Sequence, residues 1–122
     1  MHFSYARRFF LAALPSAAEP LDDAAKAYGR GDYAAAMELF LPLANRGNAV
    51  AQSILGVMYA KGQGVPQDYV LAHMSLNLAA SRAKDGDADK RRADRDIVAT
   101  KMTPAQLAEA HKLAREWKPK TQ

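Results

Sequence analysis

The chain has 122 residues, no cysteine and a formal net charge of +4 at pH 7. This length fits one domain, and the lack of cysteine excludes disulfide bonds, thiolate metal sites and thiol catalysis. Arg7 and Arg8 account for two of the charges, and from Glu19 onward 15 basic residues face 13 acidic ones. That near balance keeps a surface solvated and does not create the strong positive field of a nucleic-acid-binding protein.

Residues 1–18 have the features of an export signal. Arg7-Arg8 is a positive region, Phe9 to Leu14 is an apolar run, and Ser16-Ala17-Ala18 offers small residues before a cleavage site. The apolar run is shorter than the usual 7–15 residues, so a disordered or loosely docked N-terminal arm is the alternative. We therefore predict a periplasmic or secreted protein, and otherwise a cytoplasmic one. No run of the sequence approaches the roughly 18–20 apolar residues of a membrane-spanning helix.

Residues 21–47 predict a first pair of helices. The first runs from Leu21 to Tyr28, and the turn is Gly29-Arg30-Gly31. Asp32 is placed to cap a second helix that extends to about Arg46. Pro42 lies within this second helix and is expected to kink it.

A second pair of helices is predicted over residues 48–84. Asn48 is placed to cap its first helix, in which Ala51, Leu55 and Tyr59 share one face. Gly56 lies inside that helix, where glycine costs about 1 kcal/mol relative to alanine. A glycine at such a position indicates that another helix packs closely against it.

The second helix of this pair follows a loop of small residues. Gly62, Gly64 and Pro66 end the preceding helix, and Asp68 is placed to cap the next. Its predicted apolar seam consists of Ala72, Leu76 and Ala79. The dipeptide Asp-Tyr occurs at 32–33 and again at 68–69, a separation of 36 residues that lies in the range of helix-turn-helix repeats.

These residues resemble the signature of the Sel-like repeat family, which is related to the tetratricopeptide repeats. The matching positions are Ala51, Leu55, Gly56, Tyr59, Gly62, Gly64, Val65, Asp68, Ala72, Ala79 and Ala80. His73-Met74-Ser75 departs from the family pattern, which more often has an aromatic residue there. The resemblance implies an all-α fold, a short α/α solenoid of helix-turn-helix repeats, whose usual role is to bind other proteins. It implies no reaction and names no partner.

Residues 87–118 are predicted to form a capping region. A charged helix over about 88–100 has only Ala93, Ile97 and Val98 to bury. The last helix begins with a capping box at Thr103, which is followed by a proline at the first helical position. Its predicted buried stripe comprises Leu107, Ala110, Ala114 and Trp117. The segment 102–120 is similar to the endings of bacterial Sel-like repeat proteins, and solenoids need such a terminal cap.

No catalytic, cofactor-binding or metal-binding residue is predicted. His2, His73 and His111 have no metal-ligand spacing, so His73 is interpreted as a packing residue and His111 as a solvated one. Asp85, Asp87 and Asp89 start like a calcium loop, but that loop needs a glycine and a glutamate at its sixth and twelfth positions, where this chain has lysine and aspartate.

Two further patterns are weak indications of nucleotide or nucleic-acid binding. The basic residues Lys90, Arg91, Arg92 and Arg95 alternate with aspartates, which favours an exposed helix with internal salt bridges. Gly62-Gln63-Gly64 lacks the lysine and spacing of a phosphate loop, so its glycines more simply supply positive φ angles.

The candidate contact surface consists of Ser53, Val57 and Ala60, which point away from the repeat signature, together with neighbours on the 21–28 helix. The alternative is that these residues are merely exposed to solvent. A non-catalytic protein- or peptide-binding module is the leading functional hypothesis. A structural, self-associating solenoid with an open edge at residues 21–40 is the second, and an enzyme or a regulator of one is the third.

Overall fold

The computed structural model describes residues 18–83 and 86–121, which form six α-helices and no strand. The helices are α1 Ala18–Gly29, α2 Tyr33–Asn45, α3 Ala49–Lys61, α4 Tyr69–Arg82, α5 Asp87–Ala99 and α6 Pro104–Glu116. The predicted all-α class is confirmed for this part of the chain. The predicted export signal lies outside the described residues, apart from its last residue, where α1 begins.

Helices α2, α3, α4 and α6 begin directly after the predicted capping residues, whereas α1 begins at Ala18, three residues before the predicted Leu21. The side-chain oxygens of Asp32, Asn48 and Asp68 each accept a hydrogen bond from the backbone N–H three residues later. Thr103 and Gln106 form a reciprocal capping box at the start of α6. Each cap satisfies a backbone donor that the first helical turn leaves free, which contributes about 1 kcal/mol.

Consecutive helices pack against each other from α1 to α5, and α6 returns to pack on α4. One buried cluster lies between α1, α2 and α3 and contains the fully buried side chains of Phe40 and Met58. A second cluster joins α4 to α5 through Leu76 and Val98. Helix α4 therefore lies at the centre, in contact with α3, α5 and α6.

Helix α3 packs closely against α4 at Gly56. A Cβ atom at this position would lie 2.6 Å from Cγ of Leu76 and 3.2 Å from the carbonyl oxygen of Ala72. The prediction that a neighbouring helix packs against Gly56 is confirmed. The contact is made first by a side chain of α4 and then by its backbone.

The loop between α3 and α4 packs back onto the first helical pair. Gly62 and Gly64 have φ angles of 69° and 76°, which confirms the predicted positive φ. A Cβ atom at Gly64 would lie 2.5 Å from the carbonyl oxygen of Tyr33, and the Tyr28 hydroxyl donates a hydrogen bond to Gln63 Oε1 at 2.9 Å. The loop thus connects the second pair of helices to both helices of the first.

Helix α5 buries different residues from those predicted. Val98 is buried as expected, but Ala93 is exposed and Ile97 has 59% of its surface exposed. Arg91 is buried instead, and its guanidinium donates a hydrogen bond to the Ala79 carbonyl oxygen at 3.4 Å. The prediction of buried residues in α5 was wrong for a physical reason. Arg91 lies on the side of α5 that faces α4, and its aliphatic stem can be buried there although arginine counts as a polar residue in a hydrophobic pattern.

The stripe of α6 lies against α4 but is less buried than predicted. Ala110 is fully buried, whereas Leu107, Ala114 and Trp117 are half-buried. Trp117 follows the last helical residue, and its ring lies 4.6 Å from the Arg82 guanidinium carbon, which fits a cation–π contact. Trp117 is therefore a partly exposed contact rather than a core residue.

Replacing Gly56 should destabilise the protein in proportion to the added volume. We expect Gly56→Ala to cost about 1–3 kcal/mol and Gly56→Leu more, because Leu76 is buried and has little room to move. Urea unfolding followed by circular dichroism measures this.

The matched control for this prediction is Gly29→Ala in α1. No atom lies within 4 Å of a Cβ placed at Gly29, so this change should be neutral or stabilise by a few tenths of a kcal/mol to about 1 kcal/mol. A Gly56→Leu protein with wild-type stability would contradict the close-packing account.

Candidate functional site

A groove runs between α3 and α5, with α4 beneath part of it. It consists of two clefts of about 290 and 210 Å³, and both are lined by Val57 of α3 and Asp94 of α5. Because the clefts share these residues, they lie next to each other on the surface. We refer to the pair of clefts below as the α3–α5 groove.

The predicted contact residues lie together on the α3 side of this groove. Ser53 and Val57 line the first cleft, and Val57 and Ala60 line the second. All three are half-buried. Tyr28 of α1 also lines the first cleft, so the predicted proximity of the first helix to this surface is found as well.

The α5 side of the groove was missed by the sequence reasoning, which treated this helix as solvated. Asp87, Lys90, Arg91 and Asp94 line the first cleft. Lys90 forms a salt bridge with Asp94 at 3.1 Å, and Arg91 lies 3.7 Å from Asp87. Both carboxylates of the groove are therefore already paired with cations of the same helix, as the predicted salt-bridged helix requires.

The far end of the groove is apolar and positively charged. Ile97, with 59% of its surface exposed, and Val98 line it opposite Val57 and Ala60. Lys61 and Lys101 lie at this end, and within residues 18–83 and 86–121 neither forms a salt bridge.

Lys101 makes one other contact, since its Nζ atom lies 5.9 Å from the centre of the Tyr69 ring. The far end of the groove thus combines apolar side chains with two ammonium groups that have no carboxylate partner in the described chain.

The aspartates at the start of α5 do not converge on a common point. Asp87 lies near Arg91, and Asp89 pairs with Arg92. The described residues contain no group of three or more histidine, cysteine, aspartate or glutamate side chains that could hold a metal ion. Asp85, the first residue of the calcium-like pattern, lies outside them.

His73 lies between α4 and α6 and is buried, as predicted, with 3% of its surface exposed. Its ring meets the exposed ring of His111 edge-on, with 5.2 Å between the ring centres. Its Nδ1 atom is buried and has no hydrogen-bond partner among the described residues. Burial lowers the pKa of His73, and the neighbouring His111 and Arg95 lower it further against the opposing effect of Asp96.

The lowered pKa predicts a loss of stability on mild acidification. In the unfolded chain histidine binds a proton near pH 6.5, while folded His73 stays neutral to lower pH. Stability should therefore fall as the pH drops below about 6.5 and level off below the folded-state pKa, with a slope of at most about 1.4 kcal/mol per pH unit. Urea unfolding between pH 7.5 and 5.5 measures this slope.

Two control variants distinguish the effect of burial on the pKa of His73 from the effect of the neighbouring His111. His73→Gln should reduce the dependence of stability on pH. His111→Gln should keep most of that dependence, because burial is the larger cause of the lowered pKa of His73. An unchanged slope in His73→Gln would show that other groups produce it.

Comparison of the chain with models of known protein families, with curated proteins and with solved structures gives no match. The resemblance to Sel-like repeats therefore rests on the motif and stays a prediction. In the part of the chain that the structure describes, no helix has the length and apolar character needed to cross a membrane.

Proposed function

We propose that this chain is a Sel-like α/α-repeat module that binds a peptide segment of another protein in the α3–α5 groove. The observation that carries the proposal is that Ser53, Val57 and Ala60, selected from sequence alone, line the two adjacent clefts of this groove. The packing of successive helices from α1 to α5 is compatible with a short solenoid. A location outside the cytoplasm is also part of this proposal, and residues 1–18 alone support it.

The composition of the groove favours a partner segment with both apolar and acidic side chains. Ile97 exposes a large aliphatic surface next to half-buried Val57, as expected where a partner completes an apolar patch. Lys61 and Lys101 add positive charge, and neither forms a salt bridge within the described residues. Asp94, the carboxylate that lines the same cleft, is paired with Lys90. An acidic side chain bound between Lys61 and Lys101 would gain favourable electrostatic interactions, and an aliphatic or aromatic one would cover Ile97.

Self-association is a second candidate, and one observation favours it. Leu39 and Leu41 of α2 have 37% and 38% of their surfaces exposed. They lie at or next to the 21–40 edge that the sequence marks as open. A dimer formed there would leave the α3–α5 groove accessible, so the two functions are separable by experiment.

Selection of short random peptides on the immobilised full chain tests the groove. We expect selected peptides to be enriched in aspartate or glutamate next to leucine, isoleucine or phenylalanine. The double variant Lys61→Gln, Lys101→Gln should weaken binding about tenfold, since two charge interactions are lost. Ile97→Asp should weaken it further. Fluorescence polarisation of a labelled peptide measures these affinities.

Matched controls are available for both kinds of change. Lys112→Gln with Lys118→Gln removes the same charge from exposed positions that do not line the groove. Val50→Asp introduces the same carboxylate at an exposed valine elsewhere on α3. Equal losses in the control and groove variants, or selected peptides without acidic residues, would contradict the proposal. Sedimentation of wild type and Leu39→Asp shows whether α2 mediates self-association instead.

A further inference from the structure

The C-terminal ends of α2, α4 and α6 meet at one end of the molecule. Helix α2 ends at Asn45, α4 ends at Arg82, and Trp117 follows α6. A Cβ atom at Gly47, in the turn after α2, would lie 2.9 Å from a guanidinium nitrogen of Arg82 and 3.7 Å from the Trp117 ring. The backbone N–H of Lys120 donates a hydrogen bond to the Asn45 carbonyl oxygen at 2.7 Å. These contacts join the three helix ends into one surface.

This surface has an excess of positive charge. Its basic residues are all exposed, and they are Arg46, Arg82, Arg115, Lys118 and Lys120. None of them forms a salt bridge within residues 18–83 and 86–121, where the four ion pairs all lie inside α5. Glu116 is the only acidic residue of the segment 115–121. The three helix C-termini add partial negative charges of about half a unit each, which leaves the cations in excess.

Exposed aliphatic side chains adjoin these cations. Leu41 and Pro42 of α2 line a surface depression of about 300 Å³ together with Arg46 and Lys120. Leu41 has 38% of its surface exposed, and Val50, in the first turn of α3, has 41%. The surface therefore combines unpaired cations with exposed hydrocarbon, which is how proteins that lie on a membrane bind anionic lipid.

Trp117 adds a side chain that is typical of a membrane interface. It is half-buried, and the guanidinium carbon of Arg82 lies over its ring at 4.6 Å from the centre. Tryptophan is enriched at the headgroup level of membranes, because its ring is apolar and its N–H is polar. A single-stranded nucleic acid also binds basic surfaces, but its bases stack on open aromatic faces. Since Arg82 already lies over this ring, the surface favours lipid.

We propose that this end of the molecule docks on a membrane surface rich in anionic phospholipid. The cations bind lipid phosphates, and Leu41, Val50 and Trp117 enter the boundary between headgroups and acyl chains. None of the residues of this surface lines the α3–α5 groove. Docking therefore leaves the groove accessible and does not depend on the function proposed for it.

Fluorescence of Trp117 tests the docking directly. It is the only tryptophan, so its quenching by phosphatidylcholine with brominated acyl chains reports lipid contact at this end of the molecule. With the full chain we expect quenching in vesicles that contain about 30% phosphatidylglycerol and little in vesicles of phosphatidylcholine alone. High salt should reverse it, because counterions screen the attraction.

Two double variants locate the charge interaction. Arg46→Gln with Lys120→Gln should weaken vesicle binding about 25-fold, or about fivefold for each lost charge. The backbone hydrogen bond of residue 120 is retained in this variant. Lys61→Gln with Lys101→Gln removes the same charge from the α3–α5 groove and should leave vesicle binding unchanged. Leu41→Asp should weaken binding through the apolar contact alone.

Three results would overturn the proposal. The first is unquenched Trp117 in the anionic vesicles, and the second is an equal loss of binding in the two double variants. The third is loss of quenching in Arg7→Gln with Arg8→Gln, which would assign the lipid contact to the N-terminal segment. Tighter binding of a single-stranded oligonucleotide than of the anionic vesicles, measured by competition, would replace the membrane with nucleic acid as the partner.

Discussion

The close contact of α3 with α4 at Gly56 is the constraint on which the other features depend. The Cγ atom of Leu76 lies 2.6 Å from the place that a Cβ atom would take at Gly56. Leu76 also lines the α3–α5 groove and packs against Val98 of α5. The depth at which α4 lies against α3 therefore determines how far α5 stands from α3. On its other side, the same interface borders a cavity between α2, α3 and α4 that is lined by Gln52, Leu55 and Leu78 among others. The absence of a side chain at Gly56 permits the close packing of α3 and α4, and residues of these two helices line both depressions.

The features that could be predicted from the sequence are those with local causes. A helix N-cap depends on one side chain and a backbone N–H three residues later, so Asp32, Asn48 and Thr103 were identifiable without any knowledge of the fold. The positive φ angles of Gly62 and Gly64 follow from residue type in the same way. Gly56 was identifiable because glycine has a cost inside a helix that packing must offset. The position of Ser53, Val57 and Ala60 on one face follows from helical periodicity alone.

The features that were missed depend on how whole helices face each other. Arg91 and Ile97 were assigned the wrong burial because α5 carries charges on all sides, so its sequence does not indicate which side faces α4. The α5 side of the groove was missed for the same reason. The cavity next to Gln52 requires three helices and Trp117 to assemble, and no spacing within one segment encodes that assembly. Polar residues in a helix give little signal of burial, because sequence patterns cannot show where an amide finds its partner.

The C-terminal tail has a consequence for cooperativity. The backbone N–H of Lys120 donates a hydrogen bond to the Asn45 carbonyl oxygen at 2.7 Å, which joins the last described residues to the end of α2. In a linear array of repeats each unit interacts only with its neighbours, so the ends can fray independently. Here the segment that follows α6 contacts the second helix of the first pair. Such a long-range contact raises the contact order, which slows folding and opposes stepwise loss of terminal helices. The contact therefore favours coupled unfolding of the segment after α6 and the first helical pair.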